Sequence, residues 1–185
     1  MPQCFRVLFV AIALAFAMPA IATTIVPMDT RALVTRSHDI VIGEVTSVRS
    51  RWNETHTRIV TDVTVRVSET LKGGAANELV LTQMGGEIDG MRYTVEGGPR
   101  FTPGEETLLF AWRDAAGRPQ VSGLSQGKFE IRRDAASGAR TLRRALPGIP
   151  AGDPMLMRAS GARREALGLD EMVREIRRVL AEGGR

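Results

Sequence analysis

A chain of 185 residues with 25 Lys and Arg against 21 Asp and Glu carries a net charge of +4, too small and too evenly spread a surplus to form the basic footprint that nucleic-acid binding requires. Arginine supplies nearly all of it, the only lysines being Lys72 and Lys128. The single cysteine, Cys4, excludes an internal disulfide, so stability has to come from packing.

Arg6 and the amino terminus precede an uninterrupted apolar run of ten residues, Val7–Phe16, and Ala20-Ile21-Ala22 fits the small-x-small pattern of a signal-peptidase site. Residues 1–22 therefore read as a secretory signal peptide. The run falls short of the roughly 20 residues that span a bilayer, so no transmembrane span is expected after cleavage. Cys4 lies ahead of the apolar run and not at the cleavage point, which argues against a lipid anchor. Cleavage after Ala22 leaves 163 residues and a charge of +3, for an exported protein that is periplasmic or extracellular. That length suffices for one sizeable core over 23–146 with a carboxyl-terminal appendage.

Asp29–Arg36 reads as a short helix with Asp29 as its cap and Leu33 and Val34 turned inward. Asp39–Val48 reads as a central strand, bent or bulged where Gly43 interrupts the side-chain row. Arg49–Thr57 is the polar tip of a hairpin, with Trp52 folded back over the apolar layer or left exposed as a contact. In Ile59–Thr70, Ile59, Thr61, Val63, Val65 and Val67 share one face and Val60, Asp62, Thr64, Arg66 and Ser68 the other, the clearest strand in the chain. Its apolar face needs a second layer. Glu78–Gln83 and Met91–Val95 follow as strands, separated by the glycine-rich loop 84–90.

A second irregular segment, 96–104, ends in the turn Pro103-Gly104 and leads into Glu105–Arg113. There Leu108, Phe110 and Trp112 alternate with Leu109 and Ala111, as in a strand covered on both faces. Gln120–Gly123 is a short return strand. Gln126–Arg133 sets Phe129 and Ile131 against Lys128, Glu130 and Arg132, and Arg140–Leu142 closes a further hairpin. With no helical crossovers, the expected fold is mainly β: a small antiparallel barrel, OB-like, or a sandwich. Residues 147–168, opened by PGIPAGDP, read as a linker. Met172, Val173, Ile176, Val179 and Leu180 form one stripe of an amphipathic helix over 169–182, acids first and glycines last. It either docks on its own domain or binds in trans.

Motifs for chemistry are few. Two histidines, His38 and His56, cannot build a structural zinc site without cysteine, and no HExxH motif is present. Ser37-His38-Asp39 holds triad residue types side by side, but a triad normally assembles from separated segments, and no GxSxG elbow occurs. The loop at 85–90 lacks the GxxxxGK[ST] order, and Glu87 with Asp89 are too few ligands for calcium. No cofactor, metal ligand or catalytic residue is assigned. The expected ligand-binding site is a rim of loops carrying Gly85, Gly86, Asp89, Gln126 and Lys128. The function read from these features is noncatalytic binding or an envelope-associated interaction with a protein or envelope component whose identity is open. A secreted hydrolase using a histidine and a carboxylate, or a structural envelope component, are the alternatives.

The order DIVIGEV, VTVRVSETLKG, GGEIDG, PRFTPGEETLLF and LSQGKFEI, over roughly Arg31–Arg144, resembles an uncharacterised family of exported bacterial β-domain proteins. That resemblance implies a secreted β domain and no particular reaction. More distantly, the helix leading into DIVIGEV and the strands after it look similar to the netrin-like modules of metalloprotease inhibitors, which implies an OB-type barrel. The inhibitors' amino-terminal cysteine and disulfides have no counterpart after Ala22, so no inhibitory residue carries over.

Overall fold

The computed structural model describes residues 27–75, 77–144 and 167–183. The expected signal peptide over 1–22 and the expected linker up to residue 166 lie outside the described residues. The elements are α1 (Thr30–Arg36), β1 (Asp39–Trp52), β2 (Ile59–Lys72), β3 (Glu78–Met84), β4 (Gly86–Ile88), β5 (Met91–Tyr93), β6 (Glu106–Arg113), β7 (Pro119–Val121), β8 (Lys128–Arg133), β9 (Arg140–Arg144), β10 (Leu167–Gly168) and α2 (Leu169–Gly183).

The framework is the long antiparallel hairpin of β1 and β2, each of 14 residues. Its β-branched alternation puts Val63 and Val65, both fully buried, on one face. The register slips between Ile40 and Val41, between Ile42 and Gly43, and between Val45 and Ser47, so β1 bends where the glycine stands. A Cβ on Gly43 would lie 2.4 Å from the Arg66 carbonyl oxygen and 2.8 Å from Val65 Cγ1. Gly43→Ala is therefore expected to cost about 1–3 kcal/mol through backbone displacement, read from denaturant melts of the purified domain. A variant within error of the parent would show that the bend does not need the missing side chain.

β6 is the second organising strand. Leu108 and Phe110 point into one apolar cluster and Leu109 and Ala111 into another, so both faces are covered. The expected inward place of Trp112 is not found: it lies past the end of the covered region and is exposed. One edge of β6 pairs with β1. Its other edge is shared, with β8 on Thr107–Leu109 and β7 on Ala111–Arg113.

The hydrogen-bonded order is β10-β9-β8-β6-β1-β2-β3 with β7 branching from β6, and β4-β5 forms a separate two-stranded sheet. This corrects the expected β-barrel and OB-like fold, because the main sheet is open and the ladder ends at β3 and β10. β3 curls close to β7, but the two are not neighbours in the ladder. Alternation reports which face a side chain takes and is silent on whether the outer strands meet. Splitting the far edge of β6 between two short partners leaves no continuous strand to complete a cylinder.

The two helices cover one face. Asp29 Oδ1 accepts from the Ala32 amide at the start of α1, which buries Leu33 and Val34. Lys72 Nζ donates to the Val34 carbonyl at 2.8 Å, satisfying one of its orphan acceptors. In α2, Leu169, Met172, Val173, Ile176 and Val179 join Ile40, Ile42, Phe110, Phe129 and Ile131 in the same cluster, so the carboxyl-terminal helix docks on its own domain. Leu167 and Gly168, expected as linker, pair with Leu142 and Thr141 and carry the sheet edge into the helix. Across the sheet, the second cluster gathers Val41, Val45, Val63, Val65, Leu79, Leu81, Leu109, Ala111 and Val121, with Phe101 of the 94–105 segment packed against it.

Candidate functional site

By their contacts, the five residues of the expected rim fall into two groups. Gly85, Gly86 and Asp89 belong to the β3–β4–β5 region. The Gly85 amide donates to the Ile59 carbonyl at 3.0 Å, and its own carbonyl accepts from Thr61 Oγ1 at 2.7 Å. Gly86, with φ +142°, lies so close to β1 and β2 that a Cβ would sit 2.4 Å from Ser50 Oγ and 2.5 Å from Thr61 Oγ1. The glycine thus lets the β4–β5 hairpin seat on the main sheet. Asp89 stands exposed at the hairpin's tip, in the left-handed region with φ 51°.

Gln126 and Lys128 belong to the turn and strand after β7, beside the 94–105 segment. Both are buried, with 7% of their surface exposed. Lys128 Nζ donates to the Arg100 carbonyl at 2.6 Å, pairs with Glu105 at 2.7 Å and lies 4.9 Å from the Phe101 ring centre. Its ammonium is thereby committed to fastening 100–105 over the second cluster. The Gly97 carbonyl accepts from the Ser125 amide at 3.1 Å, and Val45 exchanges backbone bonds with Gly104 and Glu105, so the segment is a strap fixed at both ends.

Gln126 holds the chain just before α1. Its Oε1 accepts from the Met28 amide at 2.7 Å. Arg144 completes the arrangement: Nη2 donates to the Met28 carbonyl at 3.2 Å and Nε to the Gln126 carbonyl at 2.9 Å. The guanidinium carbon lies 5.0 Å from the Phe129 ring centre, and burial lowers the guanidinium's pKa from its ordinary value. Gly123, at φ +64°, forms the floor beneath Met28: a Cβ there would stand 2.6 Å from the Met28 sulfur. Met28 itself, 9% exposed, enters the helix-side cluster. Sequence reasoning selected Gln126 for its amide but missed Met28, Gly123 and Arg144. Only the position of Met28 one residue before a helix cap marked it, as half of a staple with Leu33.

The Ser37-His38-Asp39 run is taken apart by folding. Ser37 Oγ shares a hydrogen bond with Ser122 Oγ at 2.7 Å, and exposed His38 accepts from the Arg113 amide at Nδ1, 3.2 Å away. Asp39, 2% exposed, pairs with Arg113 at 2.7 Å. Its other oxygen, Oδ1, accepts from the Gly74 amide. The carboxylate thus closes the start of β1 onto the ends of β2 and β6. His56 lies in the exposed β1–β2 tip with φ 53°. Among the described residues, no group of three or more His, Cys, Asp and Glu is placed to hold a metal ion.

Two surface features remain. A depression of about 440 Å³ lies between α1, β10 and α2, lined by Thr30, Leu167, Glu171, Met172, Arg174 and Arg178 among others. Of the six exposed large hydrophobic residues among the described residues, four fall within 80–93: Val80, Met84, Met91 and Tyr93. Val80 and Met84 are on the outward row of β3, opposite buried Leu79 and Leu81. Met91 and Tyr93, 51% and 46% exposed, share one side of β5. No helix among the described residues is long and apolar enough to cross a membrane. No protein-family model matches the chain, and no match is found among curated proteins.

Proposed function

We propose that the protein is an exported, noncatalytic binding domain that acts in the periplasm or outside the cell, and that it engages a protein partner through the β3–β5 region. The observation that carries this reading is the concentration of exposed apolar side chains in one short stretch, Val80, Met84, Met91 and Tyr93. A hairpin of two three-residue strands has little to gain in its own stability from such residues, whereas Met is an adaptable and Tyr a rigid, amphipathic contact for another protein. The ion pair of Arg92 with Glu87 across the same hairpin gives the polar component of such a surface. Export is supported by the order of charge, apolar run and small residues at the start of the sequence.

The test substitutes Met91→Ser together with Tyr93→Ser. Both sites are exposed, so the fold should survive. A partner crosslinked to the wild-type protein in its native compartment, then purified and titrated against both forms, is expected to bind the double variant about 10–100-fold more weakly. Equal affinities would place the interface elsewhere, and recovery of the protein only from the cytoplasm would remove the reading of export.

A further inference from the structure

Met28 is held as a bound peptide is held. In secondary structure the amide and carbonyl of a residue are satisfied by other backbone groups. Here both are taken by side chains from distant parts of the chain, the amide by Gln126 Oε1 and the carbonyl by Arg144 Nη2. Such a pair reads an extended main chain without regard to sequence. Sequence is read below it, where the unbranched Met28 side chain descends onto Gly123, leaving no space even for one added carbon on that glycine. A helix staple accounts for the side chain of Met28 but not for the two-sided clamp on its backbone.

The parts of the clamp are themselves fixed. The Gln126 backbone N–H donates to the Gly123 carbonyl, and the Gly127 backbone N–H donates to the Ser122 carbonyl, closing the turn. Arg144 is steadied by the Gln126 carbonyl and the Phe129 ring. The site is therefore pre-organised, which lowers the cost of binding.

We propose that Gly123, Gln126 and Arg144 form a recognition slot for an extended polypeptide segment bearing an unbranched apolar side chain, and that Met28 occupies it in cis as a tethered, self-blocking ligand. The proposal is independent of the β3–β5 surface. Tethering sets the effective concentration of Met28 near millimolar, so a free segment at about ten micromolar is outcompeted about 100-fold. Weakening the resident side chain opens the slot.

The test uses the full chain from Thr23 onward with Met28→Gly, and a fluorescein-labelled peptide of sequence IVPMDTR, which spans Ile25–Arg31. Fluorescence anisotropy is expected to show saturable binding to the variant and about 100-fold weaker binding to wild type. Binding should be lost when Gln126→Ala is added, or when the peptide's methionine is replaced by glutamate. A folded Met28→Gly protein that binds the peptide no better than wild type, or whose binding ignores Gln126→Ala, overturns the proposal. If Met28→Gly does not fold, wild-type protein is challenged with millimolar peptide carrying a photo-crosslinker in place of methionine. Crosslinks confined to 122–129 and 144 support the slot, while scattered or absent crosslinks refute it.

Discussion

Lys128→Met is expected to destabilise the domain by about 3–5 kcal/mol, lowering Tm by roughly 10–15 °C. The methionine keeps the apolar stem that runs past Phe101 and removes only the ammonium. What remains is the Glu105 carboxylate, its side chain 13% exposed, facing a site that was 8% exposed when lysine filled it. The Arg100 carbonyl loses its donor at the same time. An unpaired, desolvated charge costs far more than the net worth of the pair, so the loss belongs chiefly to Glu105. Adding Glu105→Gln to Lys128→Met should accordingly recover most of the deficit, although it removes a second native group. The control is Arg132→Met, which breaks an ion pair with Glu130 whose arginine is 61% exposed and should change stability by less than about 1 kcal/mol. Hydrogen exchange should localise the loss, with the amides of Ser125 and Gly104, which donate to the Gly97 and Val45 carbonyls, losing protection relative to β1 and β2. A single variant that melts within a degree or two of wild type would show that the strap does not depend on this pair.

The same residue marks where sequence periodicity stops being informative. Lys128 falls in phase with Glu130 and Arg132 and out of phase with Phe129 and Ile131, so alternation assigns it to the wet face. The phase is correct, since Phe129 and Ile131 join the helix-side cluster and Lys128 points the other way. That face is dry at this end of β8 because the strap crosses it, and the strap's path is a long-range property that no window of ten residues contains. For the same reason β1, β2, β6 and α2 were legible, each long enough for its own period to dominate. β4, β7 and β10, of two or three residues, were misread or only partly read: they exist through pairing, not through local propensity. The barrel expectation failed on the same ground, since closure depends on what the edge strands meet. As for the site, an amide at 126 was visible as a residue type, whereas its partner is 98 positions away.

Ile176→Asp is expected to detach α2 and expose the helix-side cluster. Of the stripe predicted from spacing, Ile176 is fully covered, Met172, Val173 and Val179 nearly so and Leu180 partly, and Leu169, fully covered, joins them. Ion pairs at the periphery, Arg31 with Glu182, Arg177 with Glu69 and Arg140 with Asp170, join exposed side chains and fix orientation more than they stabilise. Docking is therefore an apolar-burial term, and Ile176 sits at its centre. Ile176→Ala should cost about 2–5 kcal/mol, through lost transfer energy and the cavity left in the helix-side cluster. A carboxylate there has no cation within the stripe to pair with, so the helix should leave its site in preference to burying the charge. Since a domain of this size is stable by only about 5–15 kcal/mol, the exposed face of β6, β8 and β9 should then bind a dye such as ANS and leave the protein prone to aggregation. Limited proteolysis should cut within 169–183 in Ile176→Asp and spare wild type, while Arg177→Ala, on the wet side of the helix, should behave as wild type. A charged variant that keeps its helix protected and its melting temperature would mean that the stripe is not what holds the helix to the sheet.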